Sequence, residues 1–319
     1  MIIILGDLIA DLSMHIPSFP VEARAMPRAT YMELGPGGAT NVAIAASRLG
    51  LDVAVLGEVG DDQFGEVVLE GLVEEGVDIT HVEVTPGAET PVAGVIVDSG
   101  AEPAYIGYPG SLQLKEFPES WKGLIADARA LFVDGWAETP DVPGLLLDGL
   151  KAASTADVPV FFDAGPGNPR VDNVWWDDAL AYTTVFLATE DEARGFTHEE
   201  DPWLSARKIL SGGPELVVIK RGPAGCILLT AEEEYIAPGF PVRVLDTTGA
   251  GDSLDAAILF AYLKGWPLEA MGQMANATGA AKVRKRGTGH NVPRPEETLE
   301  LLERFAPAVG DRLRASFEP

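Results

Sequence analysis

The feature that most constrains the fold is an alternation of short β-type runs with stretches whose apolar residues recur at helical spacing. "VAVLGEV" precedes "FGEVVLEGLVEEG", and "ALFVDG" precedes "VPGLLLDGLKAA". "VPVFFDAG" follows, then "TVFLAT" before "EDEARGF", and "ELVVIKRG" and "GCILLT" close the series. Nearly continuous apolar strands separated by helices predict a mainly parallel sheet with right-handed crossovers and helices on both faces, an α/β fold. Two stretches, about 13–34 and 90–107, interrupt the pattern: "TPVAGVIVD" and "AEPAYIGY" read as short strands punctuated by Pro and Gly with no helix between them. They predict a small sheet at one edge, either a lid or an ordinary edge hairpin. No repeat, low-complexity tract or long linker divides the 319 residues, so 1–319 reads as one domain carrying those strands as insertions.

Charge and composition narrow the function. The net charge of −26, from 23 basic and 49 acidic side chains, argues against non-specific binding to nucleic acid or to an anionic membrane, both of which need a cationic surface. "MIIILGD" lacks a basic leader and is too short to span a membrane, so it reads as a first buried strand. The single cysteine, Cys226, excludes an intrachain disulfide, and a reducing cytoplasm is the expected setting. One basic cluster stands out: Lys282, Arg284, Lys285 and Arg286 in "KVRKR", at the end of an Ala-rich helical pattern. It suits either the helix dipole or a nucleotide-facing role.

The chemistry concentrates in "DTTGAGD", residues 246–252. A strand pattern runs to about Leu245, a turn covers Thr248–Gly251, and a helix starts near Asp252. Gly249 and Gly251 allow a tight turn that gathers N–H groups at the positive end of the helix, an anion cradle. Asp252 there is either an N-cap or a base that takes a proton from a hydroxyl attacking a phosphoryl group.

This stretch resembles the C-terminal signature of the ribokinase family, the phosphofructokinase-B carbohydrate kinases. The resemblance implies that the Gly249–Ala250–Gly251 backbone forms the anion hole and Asp252 is the catalytic base. Further blocks resemble the family in order along the chain. Gly37, Gly38 and Asn41 in "GPGGATN" and Asp11 in "ILGDLIAD" fall where relatives bind the sugar, and Gly60, Asp61, Asp62 and Gly65 match the next block. Lys220, Gly222 and Gly225 in "VVIKRGPAGCIL", with Asn276, fall where relatives hold ATP. The implied fold is a ribokinase-like three-layer α/β/α domain with a small β-sheet lid, through which many relatives form homodimers.

Two departures from the family pattern matter. The usual Asn-x-x-Glu, whose Glu organises Mg²⁺ through water, reads Thr189-x-x-Glu192 here, and the "GGATN" loop is one residue short. Asp246 with "RKRGTGHNVP" resembles a monovalent-cation site, which makes K⁺ a candidate beside ATP and Mg²⁺. The N-terminal substrate blocks contain no Arg or Lys, although Arg24 and Arg28 could swing in from the lid. The expected acceptor is therefore a small uncharged sugar. The alternatives are a nucleoside stacked on Tyr105, Tyr108, Phe19 or Met14, or a non-catalytic regulator that binds sugar or nucleotide. A dinucleotide-dependent oxidoreductase fits poorly, because "ILGDLIAD" supplies one glycine where three are needed.

Overall fold

The structure, a computed structural model, describes residues 1–112, 114, 116–137, 145–165 and 173–317. The start of the "VPGLLLDGLKAA" pattern, residues 142–144, lies outside the described residues, as does Gln113.

The expected mainly parallel α/β sheet is present. Its first strands in sequence are β1 (Ile2–Leu5) and β4 (Val53–Leu56), separated in the chain by β2 (Leu8–His15) and β3 (Tyr31–Gly38) of a second sheet. After a short parallel pair, β5 (Glu58–Gly60) and β6 (Glu83–Thr85), come β7 (Val92–Val97) and β8 (Pro103–Tyr108), which complete the second sheet in the order β3-β2-β7-β8. The main sheet continues with β9 (Ala130–Asp134), β10 (Val160–Asp163), β11 (Val185–Thr189), β12 (Leu216–Lys220), β13 (Cys226–Leu229) and β14 (Glu234–Ala237). Its spatial order is β14-β13-β12-β11-β10-β9-β1-β4. Pairing is parallel from β4 to β12 and antiparallel for the last two strands. "GCILLT" is antiparallel because only a short 3-10 turn, and no α-helix, separates it from β12.

Eleven helices occur among the described residues: α1 (Ala39–Arg48), α2 (Gln63–Glu74), α3 (Glu119–Ala126), α4 (Leu145–Thr155), α5 (Asn173–Ala181), α6 (Glu190–Thr197), α7 (Pro202–Leu210), α8 (Ala250–Leu263), α9 (Leu268–Lys282), α10 (Pro295–Phe305) and α11 (Pro307–Ala315). None is long and apolar enough to cross a membrane. The period of two along each strand sorts side chains between two cores. In β1, Ile2 and Ile4 join a cluster with α1, α8, α9 and α10, whereas Ile3 and Leu5 join one with α3, α4 and α7. Helix α8 carries apolar or small residues on all sides and is buried from Ser253 to Ala261, as a helix in the middle of a layer must be.

This layering positions the site. Successive strands end in polar groups at one edge of the sheet: Asp134 closes β9, Asp163 closes β10, Thr189 closes β11 and Lys220 closes β12. Register places Asp134 beside Asp163 and Thr189 beside Lys220. Asp7 follows β1, and the order of connections reverses between β1 and β9, so these groups line the crevice where open α/β sheets take ligands. The second sheet starts earlier than expected, at Leu8, and β3 runs on to Gly38, so its strands lead directly into that crevice. Its outer side leaves Met32 and Ile106 exposed.

Phe162 is fully buried between strands and helices and packs against Trp175, Trp176 and Phe186. Phe162→Ala should cost about 3–5 kcal/mol, read as a lower urea midpoint with an unchanged slope.

Candidate active site

The site is assembled from the loop before α8, the first turn of α1 and the polar strand ends. Asp246 is fully buried. Its Oδ1 accepts the Thr248 N–H at 2.9 Å, and its Oδ2 accepts the Gly287 N–H at 2.8 Å and lies 3.1 Å from His15 Nε2. This carboxylate clamps the loop to the segment after α9 and to β2. Gly249 then takes the left-handed conformation, φ 74°, as the N-cap of α8, which begins at Ala250, earlier than the sequence pattern implied. The Ala250 N–H closes a turn on the Thr247 carbonyl at 3.2 Å. Asp252 therefore sits within the first helical turn and is partly exposed.

Asn41 holds Asp252 from across the molecule. It is buried in the first turn of α1; its Nδ2 donates to Asp252 Oδ2 at 2.8 Å and its Oδ1 accepts the Gly289 N–H at 2.8 Å. Burial, then the charge of Asp163, raises the Asp252 carboxyl to about 6, against the lowering effects of Lys220, Asn41 and Lys282.

Asp11, on β2, points into the same crevice. A Cβ on Gly37 of β3 would lie 2.2 Å from the Asp11 carboxyl, so this glycine is what lets the carboxylate approach its neighbouring strand. Burial raises Asp11 to about 7, and the charges of Asp252, Asp7 and Asp246 add to this against a hydrogen bond from Thr288. Asp7 is likewise raised to about 7 by burial.

Lys220 is not a free surface cation. Its Nζ donates to Asp163 Oδ2 at 2.8 Å and Asp255 Oδ2 at 2.9 Å, and it lies 3.5 Å from where a Cβ on Gly251 would begin. Burial opposes its charge, but Asp163 and Asp255 outweigh that and hold the ammonium well above its usual range. Asp255 is pushed well above the carboxylate range, by burial first, while Lys220 overcomes the effect of burial on Asp163 and holds it low. Lys220 therefore bridges two carboxyl groups under the first turn of α8.

Thr189 and Glu192 form a capping box on α6: Thr189 Oγ1 accepts the Glu192 N–H at 3.2 Å, and Glu192 Oε2 accepts the Thr189 N–H at 2.6 Å. The Thr in place of the family Asn thus has a structural reason in this chain. Burial, then the charge of Asp163, raises the Glu192 carboxyl. On the far side, Gly222 and Gly225 form a turn packed on residues 237–239, and Asn276 Nδ2 donates to the carbonyls of Ala237 and Pro238 at 2.8 and 3.1 Å. The fold therefore gathers Gly225 and Asn276 around one short segment, and sets Asp11, Gly37, Gly38 and Asn41 around Asp252. The Asp61–Gly65 block lies elsewhere, with Asp62 capping α2 and accepting from Thr90 at the base of β7.

Residues 1–295 match the family model described as pfkB family carbohydrate kinase. The chain belongs to this family. It is 27% identical over 301 residues to the ATP-dependent ribose-1-phosphate kinase of Halopiger xanaduensis, covering 94% of this chain and 97% of the relative. Its fold matches the ribokinase of Arabidopsis thaliana complexed with ribose and ATP, with a TM-score of 0.80, 23% identity and coverage of 95% and 98%. It also matches the Burkholderia thailandensis nucleoside kinase in complex with inosine, with a TM-score of 0.78, 22% identity and coverage of 96% and 97%. As a pfkB family carbohydrate kinase, the protein is a phosphotransferase that acts on an alcohol group.

Several groups of this kinase site escaped the sequence reading. The sequence patterns assign no role to Asp134, Asp163, Asp255 or Thr288, and Lys282 reads only as one of four clustered cations. A readable signal existed for some of them, because "ALFVD", "VFFD" and "VVIK" each end an apolar strand on a charge.

Asp11→Asn should separate function from stability. Asp11 carries a folded value of about 7, above its unfolded value of about 3.9. Its burial therefore costs little below about 4, where both states are protonated; the penalty grows as pH rises from about 4 to about 7, where only the unfolded chain has lost the proton, and is complete above that. The variant should gain Tm relative to the parent most at about pH 8, part of that at about pH 5 and little at about pH 3, and lose sugar affinity. A Tm difference that does not change with pH would contradict this.

Proposed function

We propose that this kinase transfers the γ-phosphoryl group of ATP to a hydroxyl of a small uncharged sugar, in the manner of a ribokinase or fructokinase, with Asp252 as general base. The observation that carries the reading is the Asn41–Asp252 pair at the N-terminus of α8: a carboxylate tuned to about 6, partly exposed and held in orientation by a buried amide. The Gly249 and Gly251 amides and the helix dipole supply positive potential for the transferred group. Asp11 and Asp7 offer acceptors for sugar hydroxyls.

The same carboxylates favour an uncharged acceptor, since Asp7, Asp11, Asp246 and Asp252 would repel a second anion. Arg24 and Arg28, which could offset them, sit in the exposed segment 17–30. One observation favours a nucleoside as the second reading: Tyr105 and Trp136 are exposed, with ring centroids 6.3 Å apart, a pair on which a base could stack. A non-catalytic regulator is the third reading, to which a tuned base is superfluous.

ATP is assigned to the side of the crevice bounded by Gly222, Gly225 and Asn276, with Lys220 beneath the anion hole, paired with Asp163 and Asp255. Among the described residues no three His, Cys, Asp or Glu side chains could cage a metal. That donor set fits a Mg²⁺ that keeps its waters and takes its other ligands from phosphates, with Glu192 reaching it through water. Bound there, the ion would neutralise phosphate charge. Asp246 already accepts three hydrogen bonds, so the role of K⁺ is best read directly, as ADP release with and without KCl.

ADP release against pentoses, hexoses and nucleosides tests the reading. Asp252→Asn should lower kcat by about 10²–10⁴ while leaving ATP affinity within about threefold. Because the base must be ionised, kcat should fall about tenfold per pH unit below about 6. A loss of less than threefold in the variant would remove Asp252 from the chemistry. ATP binding with no turnover on any acceptor would favour the regulator.

A further inference from the structure

Three buried side-chain atoms without a hydrogen-bond partner surround the first turn of α8: Thr248 Oγ1, Asp255 Oδ1 and Lys282 Nζ. Lys282 differs from the others because it is a cation. It is the last residue of α9 and is 0% exposed. The rest of the "KVRKR" cluster is engaged nearer the surface: Arg284 faces Glu300 at 3.4 Å, Lys285 donates to Glu297 at 3.0 Å, and Arg286 lies over the Tyr31 ring at 5.9 Å. Lys282 turns inward instead. Its Cε is 3.3 Å from where a side chain on Gly249 would begin, and Asp252 Oδ2 is 3.9 Å from that same point. The end of the lysine and the Asp252 carboxylate therefore both border the space beside Gly249.

The charges around it leave it unpaired. Burial lowers the ammonium to about 8; Asp246, Asp252 and Glu33 attract it and Lys285 repels it, yet none bonds it. Asp246 is already engaged with Thr248, Gly287 and His15, and Asp252 Oδ2 with Asn41. An unpaired charge at this depth is costly, and a fold that keeps one beside a helix N-terminus is arranged for an anion that arrives later.

We propose that Lys282 is a catalytic residue whose ammonium binds the phosphoryl group in transfer, together with the Gly249 and Gly251 amides. The inference rests on the kinase reading and adds a ligand to the same site. In the step it serves, the bond from the γ-phosphorus to the ADP oxygen breaks and a bond to the acceptor hydroxyl oxygen forms. The hydroxyl proton passes to Asp252. Lys282 keeps its proton throughout and offsets charge on the peripheral phosphoryl oxygens. The anion is assigned to the transferred group rather than to the acceptor because Lys282 lies beside the base, where the reacting atoms meet.

The test is Lys282→Met, which keeps the stem and removes the charge, with Lys282→Gln as a second variant should Met fold poorly. Without ligand, the variant should melt at the same temperature as the parent or higher, since a costly charge is gone. Inorganic phosphate should raise the Tm of the parent and not that of the variant. In turnover, kcat should fall about 10²–10³-fold with acceptor KM within about threefold. An equal phosphate shift in both proteins, no shift in either, or a variant kcat within threefold of the parent would overturn the assignment. So would a ligand-free Tm well below the parent in both variants, which would make Lys282 structural. A parent that binds phosphate through Lys282 but turns over no acceptor would defeat the kinase reading and leave the anion site standing.

Discussion

The hydrogen bond from Asn41 to Asp252 is the contact on which the arrangement of the crevice depends. It joins residues 211 positions apart and ties the first turn of α1 to the first turn of α8. Through its other amide atom, Asn41 also holds the Gly289 backbone, so one buried side chain sets the distance between two helix ends and the loop after α9. A Gln would reach too far and an Asp would repel the carboxylate it meets. Packing of α1 against α8 in the larger core keeps these ends from drifting.

Around that contact the molecule concentrates negative charge. Asp7, Asp11, Asp134 and Asp252 are all raised by burial, and the fold tolerates them because some carry protons near neutrality. Two lysines balance the rest in opposite ways. Lys220 is shared by Asp163 and Asp255, which take up its hydrogen bonds. Lys282 has no hydrogen-bond partner among the described residues, so its positive field remains available. In an acidic protein of net charge −26, one uncompensated buried cation weighs more than the dispersed surface ion pairs, which solvent screens.

The second sheet is continuous with the site. Strand β2 carries both Asp11, inside the crevice, and His15, which contacts the Asp246 clamp. Strand β3 delivers Gly37 and Gly38 directly into α1. Movement of these strands would therefore move Asp11 and the anchor of Asp252 together, a coupling that suits the proposed phosphoryl transfer, where water must be excluded.

Much of this protein was legible in one dimension. Apolar runs alternating with helical spacing specify a parallel sheet between helices, because only burial on both faces accounts for strands such as "IIIL" and "LVVIK". "DTTGAGD" specifies a turn into a helix with a carboxylate in its first turn, since glycine conformations and helix polarity are local properties. Local patterns could not assign partners across the chain. Lys220 reads only as part of the ATP-side block until the sheet brings its side chain across β11 to Asp163 and α8 brings Asp255 over it. Thr189 reads as a defective metal position until its hydroxyl is seen capping α6. Lys282 reads as one of four clustered cations until α9 ends inside the core. The difference is physical: backbone conformation is decided by neighbours in sequence, whereas the charge, protonation and availability of a buried group are decided by what the tertiary structure packs around it.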